Sequence, residues 1–187
     1  MQMALPQLLE ATAIPADALD DFGAALVSQR VLDTLQIPHQ DQDQWCWCAI
    51  TAGICAFRDH TFKMRQCEVA AVVLGLDACA NPASEDVNKM MPLDEVLVHF
   101  HRLADMQDMP ISFDQIVEQI DAGLPVCLRI RFVDTGIAHF TVVRGYRRDD
   151  QMLMIDDPSF DETTLSYDDV RDSYEGSGVW KQSYRVR

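Results

Sequence analysis

One segment in the first third of the chain constrains the fold more than any other. Trp45–Phe57 reads WCWCAITAGICAF, thirteen residues without a charged side chain. Small and apolar residues would occur on every side of a helix with this sequence, so such a helix must be covered on most of its faces. Asp41 or Asp43 supplies a cap at its start. The segment therefore predicts a buried helix against which the rest of the chain packs.

Further helices are predicted before the strands begin. Met64–Leu74 is a helical candidate, and Leu93–Leu103 carries an apolar stripe at helical spacing. Ser112–Ala122 begins with a capping serine and ends before Gly123, which is the expected stop signal. The stretch 77–92 contains an Asn-Pro and a Met-Pro pair and predicts an irregular connection between helices.

The second half of the chain changes character. Pro125–Val133, Ala138–Tyr146 and Met152–Asp156 are rich in strand-forming residues and are separated by polar, turn-like clusters, which predicts three strands. Ser166–Tyr174 predicts a short helix and Gly178–Val186 a last strand. Because the helices come first and the strands follow, the fold class is α+β with one segregated sheet.

The N-terminal residues differ from the rest. Residues 1–30 carry two prolines and scattered apolar positions, which favours an acidic, loosely attached arm with one short helix near Asp17–Gln29. Residues 31–187 then form a single domain, a size that one hydrophobic core can support. Val31–Ile37 predicts a strand at the entrance to that domain.

The charge excludes two classes of partner. The 187 residues include 15 basic and 30 acidic side chains, for a net charge of −15. This balance argues against a duplex nucleic-acid binder, which needs a basic face, and against docking on an anionic membrane. Residues 1–43 (net −6) and 149–175 (net −9) hold the whole excess. They are either solvated acidic faces or a field that favours basic substrates.

The location is predicted from the absence of targeting signals. Met1–Glu10 contains no Lys or Arg and no adequate apolar core, so it is not a Sec-type signal peptide. No run of 18 apolar residues predicts a transmembrane helix. We therefore expect a cytoplasmic protein, or one exported by a dedicated secretion system.

The cysteines leave two arrangements open besides catalysis. Six cysteines in a cytosolic chain do not indicate a disulfide framework, but Cys67 and Cys79 can pair in an oxidising compartment. A zinc site of Cys46, Cys48, His60 and Cys67 is the weaker alternative, because structural zinc sites usually show two tight pairs of ligands and only one is present.

Cys46 is the candidate nucleophile. It lies in the first turn of the predicted helix, where the positive end of the helix dipole and free backbone N–H groups stabilise a thiolate. Gln40, six residues earlier, can bind the oxygen of a tetrahedral intermediate together with the Cys46 N–H; spacing alone selects it over Gln42 and Gln44. Cys48 lies about 200° around the helix from Cys46 and should face the core.

A thiolate of this kind needs a base. His139 begins the predicted strand HFTVVRGY at 139–146, and Asp157 follows the next strand, where its carboxylate can hold the imidazole in the useful tautomer. Asp156 competes for that role, but adjacent side chains of a strand point to opposite faces, so only one of the two addresses His139. Trp180 either shields the pair from water or packs on a sheet face.

The ordered set of Gln40, Cys46-Trp47, HFTVVRGY at 139–146 and Asp157-Pro158 resembles the papain-like cysteine peptidases. It is similar in particular to their compact bacterial branch, which includes effector proteases of plant pathogens and the leader-cleaving peptidase domains of bacteriocin exporters. The similarity spans about residues 36–187. Asp157 has the place before proline that the family gives to its orienting carboxylate. Cys48 departs from the pattern, because it stands where the family usually has alanine.

The resemblance implies a papain-like α+β fold with the active site between a helical half and a sheet half. It implies a cysteine-type peptidase in which Cys46 is the nucleophile, His139 the acid and base, Asp157 the orienting carboxylate and Gln40 the oxyanion donor. It further implies a protein or peptide substrate and no metal or organic cofactor. It is consistent with an effector or toxin, for which an inhibitor or immunity protein is the expected partner, and equally with a leader-processing or housekeeping peptidase.

Two alternatives use the same cleft. Acyl transfer, deamidation and peptide cyclisation need the same triad, because only the second nucleophile or the leaving group differs. Outside the enzymes, the alternative is a catalytically silent scaffold that binds peptides in the groove.

Overall fold

The computed structural model describes residues 28–160 and 162–187. Within them one strand lies between two of the helices that the sequence predicts to come before the sheet. The helices are α1 (Cys46–Arg58), α2 (Gln66–Leu74), α3 (Leu93–His99), α4 (Phe113–Asp121) and α5 (Tyr167–Asp172). The strands are β1 (Gln29–Val31), β2 (Leu103–Gln107), β3 (Val126–Phe132), β4 (Ala138–Arg147), β5 (Met152–Asp156), β6 (Thr163–Ser166) and β7 (Gly178–Val186).

The strands of this part of the chain form one seven-stranded antiparallel sheet in the order β2-β7-β3-β4-β5-β6. The short β1 pairs with the far half of β4, beyond the point where β3 ends. Gly145 makes that pairing feasible, because a Cβ at this position would lie 2.6 Å from the Arg30 carbonyl oxygen. The fold is therefore α+β with a single sheet, as predicted.

The predicted central helix is α1, and ten of its residues are buried. The chain that precedes it crosses its surface closely. A Cβ on Gly53 would lie 2.6 Å from Ile37 Cδ1 and 2.7 Å from the Gln36 carbonyl oxygen. A glycine at this position thus lets residues 36–37 lie directly on the helix, and the chain from there leads through Gln40 back to Cys46.

The predicted boundaries of α4 are confirmed. Ser112 Oγ accepts from the Gln115 N–H and Gln115 Oε1 accepts from the Ser112 N–H, which is a complete capping box. After the helix, Gly123 adopts φ of +76°, a conformation that glycine tolerates without strain. The chain then turns directly into β3.

The core lies between the helices and the sheet. Its largest side chains are fully buried and come from both halves of the chain; they include Trp45, Trp47, Trp180, Tyr146 and Tyr174. None of the helices in the described ranges is long and apolar enough to cross a bilayer.

Two local expectations are wrong. The helix predicted over Leu93–Leu103 ends at His99, because His101 turns to φ of +56°, and the chain continues into β2 at the sheet edge. The strand predicted over Val31–Ile37 lies earlier, at Gln29–Val31.

Two further strands are absent from the prediction for a shared reason, and one predicted helix lies outside the described residues. The predicted strands omit both β2 and β6. Each of them pairs at a sheet edge with a strand whose position is set by tertiary packing. The short helix expected near Asp17–Gln29 lies outside the described residues except at its end, where Gln29 begins β1.

Candidate active site

Cys46 is the first residue of α1 and is 1% exposed. The indoles of the residues before and after it both bond to the backbone of residues 87–89. Trp45 Nε1 donates to the Val87 carbonyl (3.1 Å) and Trp47 Nε1 donates to the Lys89 carbonyl (2.9 Å). Met90, the residue after Lys89, has its sulfur 3.8 Å from Cys46 Sγ. Both tryptophans are therefore structural residues that build one wall beside the thiol.

His139 is the second residue of β4 and is buried. Its Nε2 lies 2.8 Å from Asp157 Oδ1 and 3.0 Å from Asp157 Oδ2, which leaves Nδ1 for the side of the ring that faces Cys46. Burial acts to lower the pKa of His139, but hydrogen bonds and charge from Asp157 and Cys46 outweigh it and raise the pKa to about 9. The imidazolium is thus the favoured form at neutral pH.

Asp157 follows β5 directly, and its carboxylate is almost fully enclosed. Oδ1 also accepts from the backbone N–H groups of Ser159 (2.7 Å) and Phe160 (3.1 Å), and Oδ2 accepts from the Tyr174 hydroxyl (2.7 Å). Burial alone would raise the pKa of Asp157, but the bonds from His139 and these donors keep it below its usual value. Asp157 is therefore a carboxylate with a fixed orientation.

Asp156 faces the other way. Its Oδ2 accepts from the Ile37 N–H (2.9 Å) and lies 3.9 Å from Arg144 Nη1. Burial raises the pKa of Asp156, in contrast to Asp157. The strand alternation that leaves only one of the two carboxylates for His139 selects Asp157.

Gln40 joins the two halves of the site. Its N–H donates to the Pro158 carbonyl (2.8 Å) and its Oε1 accepts from Ser159 Oγ (2.7 Å), so it contacts the loop that follows Asp157. Its Nε2 donates to the carbonyls of Gln42 and Asp43, both at 2.9 Å. The Gln40 amide is thus held on the turn that leads into α1.

The two competing glutamines have other positions. Gln42 offers its backbone carbonyl to the Gln40 amide. Gln44 donates its backbone N–H to Asn88 Oδ1 (3.0 Å), and it lines the cleft that contains Cys46.

An aromatic ring covers the histidine, and it is Phe160. The rings of Phe160 and His139 meet edge to face, with centroids 6.0 Å apart at 86°. Trp180 is instead a core residue of the sheet: its Nε1 donates to the Gln182 carbonyl and its ring contacts Tyr167. Neither Phe160 nor Tyr174 was predicted from the sequence as part of the site. Phe160 had a local signal, because it lies three residues after Asp157; Tyr174 had none.

None of the five other cysteines is an exposed free thiol, and Cys55 and Cys127 are buried. Cys48 is fully buried, and burial raises the pKa of its thiol. Cys67 forms a disulfide bond with Cys79, which resolves the pairing that the sequence left open. Because Cys67 is bonded, it has no thiolate to offer to the zinc set with Cys46, Cys48 and His60.

A cleft of about 410 Å³ opens beside Cys46 and His139. Its walls combine apolar side chains with carboxylates, and no lysine or arginine stands among the lining residues in the part of the chain that the structure describes. The carboxylates are those of Asp43, Asp134 and Glu175, and the apolar side chains include Met90, Phe132, Ile137 and Phe160.

This geometry supports nucleophilic acyl chemistry, because a thiol at a helix N-terminus faces a histidine that a buried carboxylate orients. The Peptidase_C39-like family matches residues 34–187, a range that includes every described helix and every strand except β1. No curated protein matches the chain. The chain therefore belongs to the Peptidase_C39-like family: it is a cysteine peptidase, a hydrolase, with a papain-like α+β fold.

Proposed function

We propose that the protein hydrolyses peptide bonds with a triad of Cys46, His139 and Asp157. The observation that carries this proposal is the position of His139, whose Nε2 is 2.8 Å from Asp157 while Cys46 also raises the pKa of the same ring. A histidine held in this way keeps its proton on the side of the thiol at neutral pH, which favours a thiolate–imidazolium pair.

In the proposed cycle, the Cys46 thiolate attacks the peptide carbonyl carbon and the carbonyl oxygen becomes an oxyanion. The Cys46 N–H, at the helix N-terminus, and the Gln40 amide stabilise this oxyanion. The bonds of Gln40 Nε2 to the carbonyls of Gln42 and Asp43 support this role by keeping the amide on the turn before Cys46. Substrate binding redirects one of its N–H groups to the oxyanion.

His139 then moves protons in both halves of the reaction. It donates its Nδ1 proton to the leaving amine as the C–N bond breaks, which leaves an acyl group on Cys46. The neutral imidazole next accepts a proton from a water that attacks the thioester carbonyl. The acid product leaves and the Cys46 thiolate is restored. Asp157 keeps the ring oriented throughout.

For the substrate, we infer a protein or peptide with basic side chains near the scissile bond. The three carboxylates of the cleft, from Asp43, Asp134 and Glu175, support this preference. Two of them, Asp43 and Glu175, belong to the acidic segments 1–43 and 149–175 of the sequence.

For the setting, we infer export to an oxidising compartment, as for an effector or toxin. The Cys67–Cys79 disulfide supports this, because disulfides persist outside the reducing cytosol.

Covalent labelling tests the nucleophile. An epoxide directed at active-site thiols should label the intact chain once, lose its target in Cys46→Ala and still react in Cys48→Ala, because Cys46 lines the cleft and Cys48 does not. Equal labelling of both variants, or an unlabelled wild-type chain, contradicts the proposal.

Mapping of new N-termini separates hydrolysis from its alternatives. Cell lysate is exposed to the wild-type chain or to Cys46→Ala, and N-termini present only with the wild type mark cleavage sites. If Cys46 is labelled by the epoxide but no cleavage sites are found, acyl transfer or deamidation on the same triad is favoured. A chain that binds peptides but neither labels nor cleaves is the silent scaffold.

A further inference from the structure

Gln66 is a polar side chain at a buried position, 5% exposed, outside the triad. It is the first residue of α2. Its Nε2 donates to the His39 carbonyl (2.6 Å) and its Oε1 accepts from the Asp41 N–H (3.0 Å). One side chain thus satisfies the backbone on both sides of Gln40, which we call the Gln66 clamp.

The clamp itself is firmly anchored. The residue after Gln66, Cys67, is bonded to Cys79. The first turn of α2 is also capped, since Arg65 N donates to Glu68 Oε2 (2.7 Å). The backbone of residues 39–41 therefore has a rigid support on the α2 side.

On the side away from α2, the backbone of residues 39–41 contacts the loop that follows Asp157. The Gln40 N–H donates to the Pro158 carbonyl (2.8 Å), one residue after Asp157. Residues 39–41 thus lie between α2 and the loop after Asp157, and the Gln66 side chain bonds them to α2 through both a donor and an acceptor. Without it, the His39 carbonyl and the Asp41 N–H lose these partners, and the backbone on both sides of Gln40 is free to shift toward others.

We propose that Gln66 is a positioning residue that holds Gln40 where its amide can stabilise the oxyanion. The inference rests on the proposed function, because it assigns to Gln40 the role of oxyanion donor. Its physical basis is the steep dependence of catalysis on placement: a misplacement of about 1 Å can cost about 10²-fold in rate.

The test compares two reactions of the same thiol. Peptide hydrolysis forms an oxyanion, whereas alkylation of Cys46 by iodoacetamide displaces iodide and forms none. In Gln66→Met, which keeps the volume but not the hydrogen bonds, we expect kcat to fall about 10- to 100-fold, less than or equal to the low end of the roughly 10²- to 10³-fold loss seen when an oxyanion donor is removed outright. The KM and the alkylation rate should stay at their wild-type values.

Two further variants complete the test. Gln66→Glu keeps the bond from the Asp41 N–H and replaces the donated bond by repulsion from the His39 carbonyl, so its kcat should also fall; it gives the answer if Gln66→Met does not fold. Glu68→Gln is the matched control, because it removes the ion pair with Arg65 on the same helix turn, while the Gln amide oxygen still accepts from the Arg65 N–H and the clamp keeps both its bonds. Its kcat should match the wild type.

The outcomes distinguish the inference from the proposed function. A folded Gln66→Met or Gln66→Glu with wild-type kcat overturns the inference alone. Equal loss of hydrolysis and alkylation also overturns it, because general damage to the thiol site explains that result. A wild-type chain whose Cys46 alkylates but which cleaves no peptide overturns the proposed function and, with it, this inference.

Discussion

The Tyr174 hydroxyl donates a 2.7 Å hydrogen bond to Oδ2 of Asp157, and both side chains are buried. The two residues are 17 positions apart and lie on opposite sides of α5 in the chain. The bond occupies the carboxylate oxygen that lies farther from His139 Nε2. The orientation of Asp157 is therefore fixed by Tyr174 as well as by His139.

Tyr174→Phe removes this donor and little else. We expect kcat to fall about 10-fold, a part of the 10²- to 10⁴-fold that a well-positioned acid–base group supplies, because Asp157 and His139 gain freedom to rotate. Urea denaturation should also show a loss of about 2 kcal/mol in the free energy of unfolding, the usual worth of a hydrogen bond to a charged group.

Tyr184→Phe is the control for this variant. The Tyr184 hydroxyl donates to Gln182 Oε1 at 2.8 Å, away from the triad. It should leave kcat unchanged. Equal kcat values for the two variants would mean that Tyr174 does not act through Asp157.

Asp157→Asn tests the pH dependence. Asp157 is among the groups that raise the pKa of His139 to about 9, and in the proposed cycle the imidazolium donates the proton to the leaving amine. Activity therefore falls as pH rises through that pKa. Without the carboxylate charge the pKa of His139 drops, so the alkaline limb of the kcat/KM profile should move to lower pH.

The neighbouring carboxylate supplies the control for the pH profile. Asp156→Asn removes a charge next to Asp157 in sequence, but Asp156 bonds to the Ile37 N–H and does not face His139. Its alkaline limb should coincide with that of the wild type. If the alkaline limb of the kcat/KM profile moves in Asp156→Asn and not in Asp157→Asn, Asp156 and not Asp157 is the carboxylate that acts on His139.

The acidic cleft predicts a charge preference. Asp134→Asn and Glu175→Gln each remove one carboxylate from the cleft wall. Each should lower kcat/KM for a peptide with Lys or Arg near the scissile bond by up to about 5-fold, as for an exposed ion pair worth at most about 1 kcal/mol. A neutral Gln peptide should be cleaved equally well by the wild type and both variants.

Salt and a distant acid check the same prediction. Added salt should narrow the difference between basic and neutral peptides, because it screens exposed charges. Asp114→Asn, in the first turn of α4, lies outside the cleft lining and should not affect the preference. Equal rates for both peptides in the wild type at low salt would contradict the preference.

The Cys67–Cys79 disulfide predicts a stability that depends on redox state. It closes a loop of 12 residues, which corresponds to about 3 kcal/mol of stabilisation. The double variant Cys67→Ser/Cys79→Ser should therefore melt about 6 to 12 °C below the wild type in thermal denaturation.

A phosphine reductant checks the origin of that difference. It should lower the Tm of the wild type to that of the double variant and leave the double variant unaffected. If thiol titration shows that the wild-type chain is fully reduced and it still melts at its original temperature, the disulfide bond adds no stability.

Much of the fold could be predicted because its signals are local. The charge-free run 45–57 indicated α1, and Ser112 with Gly123 indicated the limits of α4. The strands β3, β4, β5 and β7 were also predicted close to their bounds. These features depend on interactions within a few residues: helix caps, the period of the apolar positions and the choice of turn residues.

The sequence also placed the members of the candidate site in order along the chain, and the structure brings Cys46, His139 and Asp157 to one cleft edge. It could not show what surrounds them. Residue spacing does not predict the contacts that surround the site: the ring of Phe160 against His139, the hydroxyl of Tyr174 on Asp157, and the Gln66 clamp beside Gln40.

By itself, then, the sequence determined which helices and strands form and which residues can carry thiol chemistry, because caps, periodicity and residue type act over short stretches of chain. Only the tertiary structure decided that β2 and β6 complete the sheet, that Asp157 and not Asp156 faces His139, and that Cys67 bonds to Cys79. It also decided where the Gln40 amide points, since Gln40 bonds to Ser159 across 119 residues. The physical reason is that these contacts join segments far apart in the chain, so they exist only once the helices and the sheet have packed.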